Sequence, residues 1–423
     1  MLPSRRGLRR FLHRDYLLAY GAQLVSFAAS AAINLIVPLQ VGPAVYGGAV
    51  AVLSSSYTIF GAFAPGYSYA TVRHLAGRRA PQIVNAPLLR WLLVPATAAG
   101  VLLAIVAGPV GLNLFHWSEA ITAYAAALIP VLSGAFLLDS LFVAQDRNGI
   151  SLAARVMIGL GFATLPWIFT KLSPHPTSVV LGVLLSHFVG LCFYGATMAS
   201  SRAKQQSSDG RDDHLRPGPL YASGLHYSVI SATSTLFSWG VLFIVSWSIT
   251  REELANLKIA LAIPTAVVAL MPFPQMFIFA KLHAAAASMS SRHVPTGLWI
   301  LPSAIGIGLL AALILLFLGP TAISMVYGPR FAAAAAYTGI LAWMVIPQLV
   351  EQPLLAVLST AHAVGTLTPL YLAGLILSLT VPVLATTLLG TYALAPGIVA
   401  GRFMSVVVPA ALLLKPGRSS YPS

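Results

Sequence analysis

The chain has 423 residues, of which 58% are hydrophobic and only 8% charged, with a formal net charge of +14. A soluble domain carries about 25% charged residues, so this composition excludes an ordinary soluble protein and indicates an integral membrane one. The basic residues punctuate apolar runs and do not cluster on one polar face, which speaks against nucleic acid and for a topology signal.

Residues 1–16 form a basic N-terminal segment, "MLPSRRGLRRFLHRDY". A helix needs about 20 apolar residues to cross a hydrocarbon core of about 30 Å. The run that follows exceeds the ~7–15 residues of a signal-peptide core and reads as a retained first span, Leu17–Val41. Gly48–Val72, Trp91–Asn113, Ile121–Ala144, Val156–Thr170 and Val179–Ala199 complete a first set of six, residues 17–199. The fifth is short, and an earlier start is expected for it. Residues 200–224 are polar and rich in Ser, Gln, Gly and Asp, the composition of a flexible linker. A second set of six fills residues 225–414: Leu225–Ile249, Ile259–Ala280, Leu298–Leu318, Tyr337–Leu358, Leu367–Leu389 and Ala395–Leu414. Residues 415–423 form a short tail.

The expected fold is therefore an all-α membrane protein of about 12 transmembrane helices. They fall into two six-helix bundles related by pseudo-symmetry, a duplication that transporter folds often show. Prolines lie inside many spans, among them Pro65, Pro130, Pro264 and Pro409. Each removes a backbone hydrogen bond and tends to kink its helix, which suits a moving transporter better than a rigid anchor.

Most of the 24 Lys and Arg residues fall on one side if the N-terminus is cytoplasmic. The outside turns then hold only Lys171, Arg251, Lys258 and Arg330. By the positive-inside rule both termini and the 200–224 linker are cytoplasmic. The single cysteine, Cys192, lies in an apolar run, so there is no disulfide framework.

Two polar stripes occupy corresponding helices. The first span carries Gln23, Ser26, Ser30 and Asn34, and the seventh carries Ser228, Ser231, Thr235 and Ser238, both at helical spacing. They could line a cavity, or bond their own backbone and glue helices together. Ionisable groups inside spans are costly and mark functional sites by default. Asp139, Glu351 and Arg402 qualify. The two acids are proton or cation coupling candidates, with a structural ion pair as the other reading. Arg402 could hold an anionic headgroup in a wet cavity, snorkel outward, or pair with Glu351. His187 and His226 read as hydrogen-bonded packing. The basic residues at inner helix ends, including Arg73, Arg147 and Arg155, set topology singly and as a group would attract a diphosphate. No Walker sequence, H-E-x-x-H or serine elbow occurs. No cofactor, metal site or catalytic residue is expected, and the outside loops are too short for a membrane polymerase or glycosyltransferase.

Three stretches carry a family resemblance: "VGPAVYGGAVAVLSSS" (Val41–Ser56), "GYSYATVRHLAGRR" (Gly66–Arg79) and "VYGPRFAAAAAYTGIL" (Val326–Leu341). In order and position they resemble the Wzx-type O-antigen and polysaccharide flippases of the multidrug/oligosaccharidyl-lipid/polysaccharide (MOP) exporter superfamily, which also contains the MATE transporters. The resemblance implies a V-shaped pair of bundles around a cavity that opens alternately to each side. It implies as substrate an undecaprenyl-diphosphate-linked oligosaccharide, with Arg402 and Arg73 as headgroup candidates. It further implies a bacterial inner membrane, contact with membrane lipids, and polysaccharide polymerase and chain-length enzymes as partners. A drug or cation antiporter and a lipid II flippase of the same superfamily are the alternatives. In this reading the Tyr327–Arg330 turn faces outward and is structural.

Overall fold

A computed structural model of the chain describes residues 5–75, 119–145, 147–205, 217–270, 300–361 and 364–411, with isolated positions at 94, 98, 101 and 102. These residues are helical almost throughout, and no strand occurs among them. In hydrocarbon every backbone N–H and C=O must be bonded within its own segment, so a long apolar sequence has little choice but helix.

The first half holds α1 (Arg5–Val41), α2 (Pro43–Leu75), α3 (Glu119–Ala144), α4 (Asn148–Leu172) and α5 (Pro176–Gln205). The second begins with α6 (Pro217–Thr235), a π-helical turn at Leu236–Gly240 and the short α7 (Val241–Val245). It continues with α8 (Arg251–Leu270), α9 (Ile300–Tyr327), α10 (Ala332–Leu341), α11 (Val345–Ala361), α12 (Val364–Leu389) and α13 (Leu394–Ala410). Among the described residues, 10 stretches are long and apolar enough to cross a membrane. The pair Ser223–Thr233 and Leu236–Val245, bent by 45°, brings the number to 11. The remaining expected span, Trp91–Asn113, lies outside the described residues apart from the isolated positions.

Several ends differ from expectation, each for a local reason. The eighth span was expected from Ile259, yet α8 starts at Arg251. Thr250 and Glu253 close a capping box there. The Glu253 N–H donates to Thr250 Oγ1 (3.2 Å) and the Thr250 N–H to Glu253 Oε2 (3.0 Å). Glu252 and Glu253 also place negative charge in the first turn, where the helix dipole favours it. The fifth span has the earlier start expected for it, at Asn148, and Arg155, assigned from sequence to an inside segment, belongs to its helix. The tenth starts at Pro329, not Tyr337. Gly328 takes the turn with φ of 68°, and Pro329 opens the new helix. The linker is shorter than residues 200–224, because α5 runs on to Gln205 and α6 begins at Pro217.

Across the halves, α2 packs against α6 and α1 against α8. Exchanging the halves converts one pairing into the other. The α2–α6 seam is tight: a Cβ on Gly66 would sit 2.1 Å from the Ser228 nitrogen. Only glycine admits that approach. Both ends of the α1 seam are tied by hydrogen bonds. Tyr20 OH donates to the Leu270 carbonyl (2.6 Å) and Gln23 Nε2 to the Ala269 carbonyl (2.7 Å). About 20 Å away, at 1.5 Å per residue, Tyr327 OH donates to the Asn34 carbonyl (2.9 Å). The Tyr327–Arg330 turn thus docks the second half onto the first, with Phe331 buried and Arg330 exposed. Burial separates inner helices from peripheral ones: 76% of the best window of α2 is buried but only 17% of that of α4.

Candidate functional site

Among the described residues two adjoining cavities lie between the helices. The larger, about 660 Å³, is bounded by α1 and the inner parts of α3 and α4 on one side. On the other side α8, the end of α9, Met344 and Gln348 enclose it. The smaller, about 420 Å³, is a chamber within the first half, reaching Tyr57 and Phe60 of α2, Leu132 of α3 and His187 of α5. Ser26, Ser30, Asn34, Phe136, Arg155, Trp239 and Lys258 border both. These residues form a shared wall between the two.

The first-span stripe belongs to that wall. Ser26, Ser30 and Asn34 border both cavities and Gln23 the larger. Asn34 is fixed by Tyr46 OH, which donates to its Oδ1 (2.6 Å), and by its own Nδ2 donating to the Ser30 carbonyl (2.7 Å). The seventh-span stripe is split. Ser238 borders the larger cavity, whereas Ser228 and Ser231 are buried and donate to the carbonyls of Gly224 and Ser228. The cause is the π-helical turn at Leu236–Gly240, which changes the helical phase and rotates Ser238 away from the face of the earlier serines. The side chains of Thr235 and Arg73 lie outside the described residues.

Asp139 sits at the chamber wall with every oxygen engaged. Ser151 Oγ and Tyr194 OH each donate to Oδ1 at 2.5 Å, and Arg155 Nη2 donates to Oδ2 at 2.6 Å. The second Arg155 terminal nitrogen reaches Ser26 Oγ (3.2 Å) on α1. The pair is neutral overall but not sealed, since the Arg155 side chain is 26% exposed.

Glu351 and Arg402 form the other ion pair, which was one of the options open for Arg402. Arg402 Nη2 donates to Glu351 Oε2, and Nη1 reaches the Thr233 carbonyl and Ser405 Oγ, each at 3.4 Å. Thr233 Oγ1 donates to Glu351 Oε1 (3.1 Å), and the Phe237 ring lies 5.0 Å from the guanidinium carbon. The arginine side chain is 2% exposed, and neither partner borders either cavity. A headgroup role for Arg402 therefore has no support from its position. The pairing explains how a charge is kept at that depth.

Lys258 is the residue that sequence reasoning misplaced. Counted as part of an outside turn, it lies inside α8 and borders both cavities. Its ammonium is 3.5 Å from the centroid of Trp239, a cation–π contact. Among the described residues no carboxylate pairs with it. Trp239 in turn stacks on Tyr57 (centroids 4.4 Å apart, planes at 11°). Tyr57 OH lies 3.1 Å from His187 Nε2. The Thr250–Glu253 capping signal was present in the sequence and would have started the helix early enough to find Lys258.

Compared with solved structures, the chain is similar over nearly its full length to MATE transporters. A MATE crystal structure in complex with MaD3S superposes with a TM-score of 0.65 at 15% identity, covering 94% of both chains. An outward-facing multidrug resistance MATE family transporter of the MOP superfamily gives 0.60 at 16% identity, over 95% of this chain and 96% of that one. The chain has the MATE fold. An inward-facing MATE family transporter gives 0.56 at 16% identity, over 94% and 93%. No family model matches the sequence, and no curated protein does. Within this MATE fold both cavities are lined by residues of both halves, and among the described residues Asp139, Arg155 and Lys258 are the Asp, Glu, Lys and Arg side chains that border them.

Proposed function

We propose that the chain is a MOP-superfamily transporter that moves an undecaprenyl-diphosphate-linked oligosaccharide from the inner to the outer leaflet by alternating access. The fold likeness supports a transporter of this kind. The observation that carries the substrate class is Lys258, an amine in the wall shared by both cavities that no carboxylate pairs with among the described residues. Asp139 is already matched by Arg155, so among the described lining residues the basic side chains outnumber the acidic ones by one. That favours an anionic headgroup and disfavours a cationic drug.

In this mechanism the diphosphate meets Lys258 and the free edge of Arg155, which binds phosphate in a fork. Arg155 then shares its charge between phosphate and Asp139. Asp139 loses part of its partner and becomes able to take up a proton, linking substrate to coupling. Arg73, at the inner end of α2, would gather the headgroup before entry. The protein would reside in the bacterial inner membrane with both termini cytoplasmic, feeding a polysaccharide polymerase and its chain-length partner.

The test is transport in proteoliposomes of a fluorescent short-chain prenyl-diphosphate disaccharide, beside the cationic dye ethidium. Wild-type protein should move the anionic glycolipid, and Lys258→Gln should slow it about tenfold, the scale of a lost charge-assisted bond. Ethidium transport without glycolipid transport would replace this reading with a drug or cation antiporter. Activity confined to a pentapeptide-bearing lipid would favour a lipid II flippase.

A further inference from the structure

We propose that the aromatic chamber in the first half is a sugar-ring subsite, separate from the compartment that receives the lipid diphosphate. The proposal rests on the flippase reading and deepens it.

The division of the cavity is the starting point. The chamber of about 420 Å³ lies within the ordinary range of small-molecule pockets, about 300–1,000 Å³. Its walls are unusually rich in rings. Tyr57, Phe60, Phe136 and Phe162 all line it, and Tyr57 is held by its stack on Trp239. Phe60 meets Phe136 edge-on at 5.6 Å, and Phe162 meets His187 edge-on at 5.0 Å. These mutual contacts fix the rings, so the walls are stiff before any ligand arrives. Between the rings sit hydrogen-bonding groups: the Tyr57–His187 pair, the Asn34–Tyr46 pair and the Asp139 cluster.

A pyranose matches this surface. Its ring faces carry C–H bonds that lie on aromatic faces, and its rim carries hydroxyls that both donate and accept. These polar groups are already paired with one another, so an isoprenoid chain would strand none of them, but it would leave their remaining lone pairs unused, whereas sugar hydroxyls can add to them. A cationic ligand would meet Lys258 at the entrance. The larger cavity, about 660 Å³, is lined beside the shared wall mainly by the helix faces of α8 and α1, with Gln23, Ser238 and Gln348. Lys258 and Arg155 stand between the two. A diphosphate held there would place its sugar in the chamber and its lipid in the larger compartment.

The experiment is calorimetric binding to the purified full-length protein in detergent. Three probes are compared: farnesyl diphosphate, farnesyl-diphospho-glucose and farnesyl-diphospho-N-acetylglucosamine. Wild-type protein should bind at least one sugar-bearing probe about tenfold more tightly than farnesyl diphosphate, the scale of one or two good ring contacts. Tyr57→Ala and Phe136→Ala should bring that ratio down to about one, while Tyr57→Phe, which keeps the ring, should retain most of it. Phe136→Leu, which keeps apolar volume but loses the ring, guards against a packing defect and should also lose the ratio. A ratio unchanged in both Tyr57→Ala and Phe136→Leu overturns the subsite. Wild-type binding of farnesyl diphosphate with no sugar preference overturns it too, yet leaves the flippase reading standing. Binding of none of the three probes would overturn both.

Discussion

Asp139 and Glu351 occupy comparable places, each on an inner helix of its own half, and each takes an arginine and at least one hydroxyl. Their surroundings differ. The Arg155 side chain is 26% exposed and borders both cavities, whereas that of Arg402 is 2% exposed and borders neither. A buried pair earns little net stability, because desolvation offsets attraction, but removing one partner leaves a stranded charge. The sealed pair is therefore a structural commitment. The wet pair can exchange partners, because water or a ligand can stand in for the missing one. The same two residue types thus serve different ends, and access decides which.

The largest expected effect breaks the sealed pair. Arg402→Ala should strand Glu351 and cost about 3–5 kcal/mol, seen as a collapse of the detergent melting temperature or loss of protein from the membrane. Joint replacement, Glu351→Gln with Arg402→Met, should recover most of the stability. Failure of the double variant to recover would mean that Arg402 does more than match Glu351.

The wet pair should respond in activity first. Asp139→Asn should leave the protein in the membrane at near-normal amount, since Arg155 can turn toward the cavity and be solvated. Transport should fall by about tenfold or more, if Asp139 serves as a general proton acceptor on the usual scale. Equal melting losses for Asp139→Asn and Arg402→Ala would erase the distinction drawn between the two pairs.

Much of the architecture was readable from sequence, because apolar length is what a membrane span requires. The failures came at helix starts. Ile259 seemed a natural beginning because the preceding residues are charged or polar, yet that helix starts at Arg251; the earlier start expected for the fifth span proved to lie at Asn148. Those few residues matter, since they move Arg155 and Lys258 from loops into the cavity wall. The Glu351–Arg402 pair was open to depth arguments, because two opposite charges far inside apolar runs invite pairing. The Asp139–Arg155 pair was not, once Arg155 had been assigned to a loop. The splitting of the seventh-span stripe depends on a π-helical turn that no residue pattern announces. The chamber depends on rings from α2, α3, α4, α5 and the π-helical turn meeting in space, and sequence order carries no trace of that meeting.

Orientation provides a test that bears on both pairs, because it decides which membrane face each one is nearer. In a Cys192→Ala background, a cysteine at Ser173, exposed in the α4–α5 turn, should react with an impermeant maleimide in intact cells. One at Ser208 should react only after the membrane is opened. The reverse pattern would invert every side assignment.

The smallest effect concerns Lys258, the second basic group of the cavity wall. Lys258 stands seven residues inside α8, about 10 Å along the axis, and its depth is set by where that helix begins. The Thr250–Glu253 capping box fixes the start. Thr250→Ala removes one cap partner and should cost about 1 kcal/mol, a modest melting shift. If the cap only stabilises the helix, diphosphate affinity should change little. If it also sets the depth of Lys258, the first turn should fray, the Lys258–Trp239 contact should loosen, and farnesyl diphosphate binding should weaken about two- to threefold. Thr250→Ser keeps the hydroxyl and should restore both readouts. Loss of affinity that serine does not restore would mean that position 250 acts through something other than the cap. Among the described residues no carboxylate holds Lys258 in register, unlike Arg155 and Arg402. Its helix start and the Trp239 ring therefore set its place.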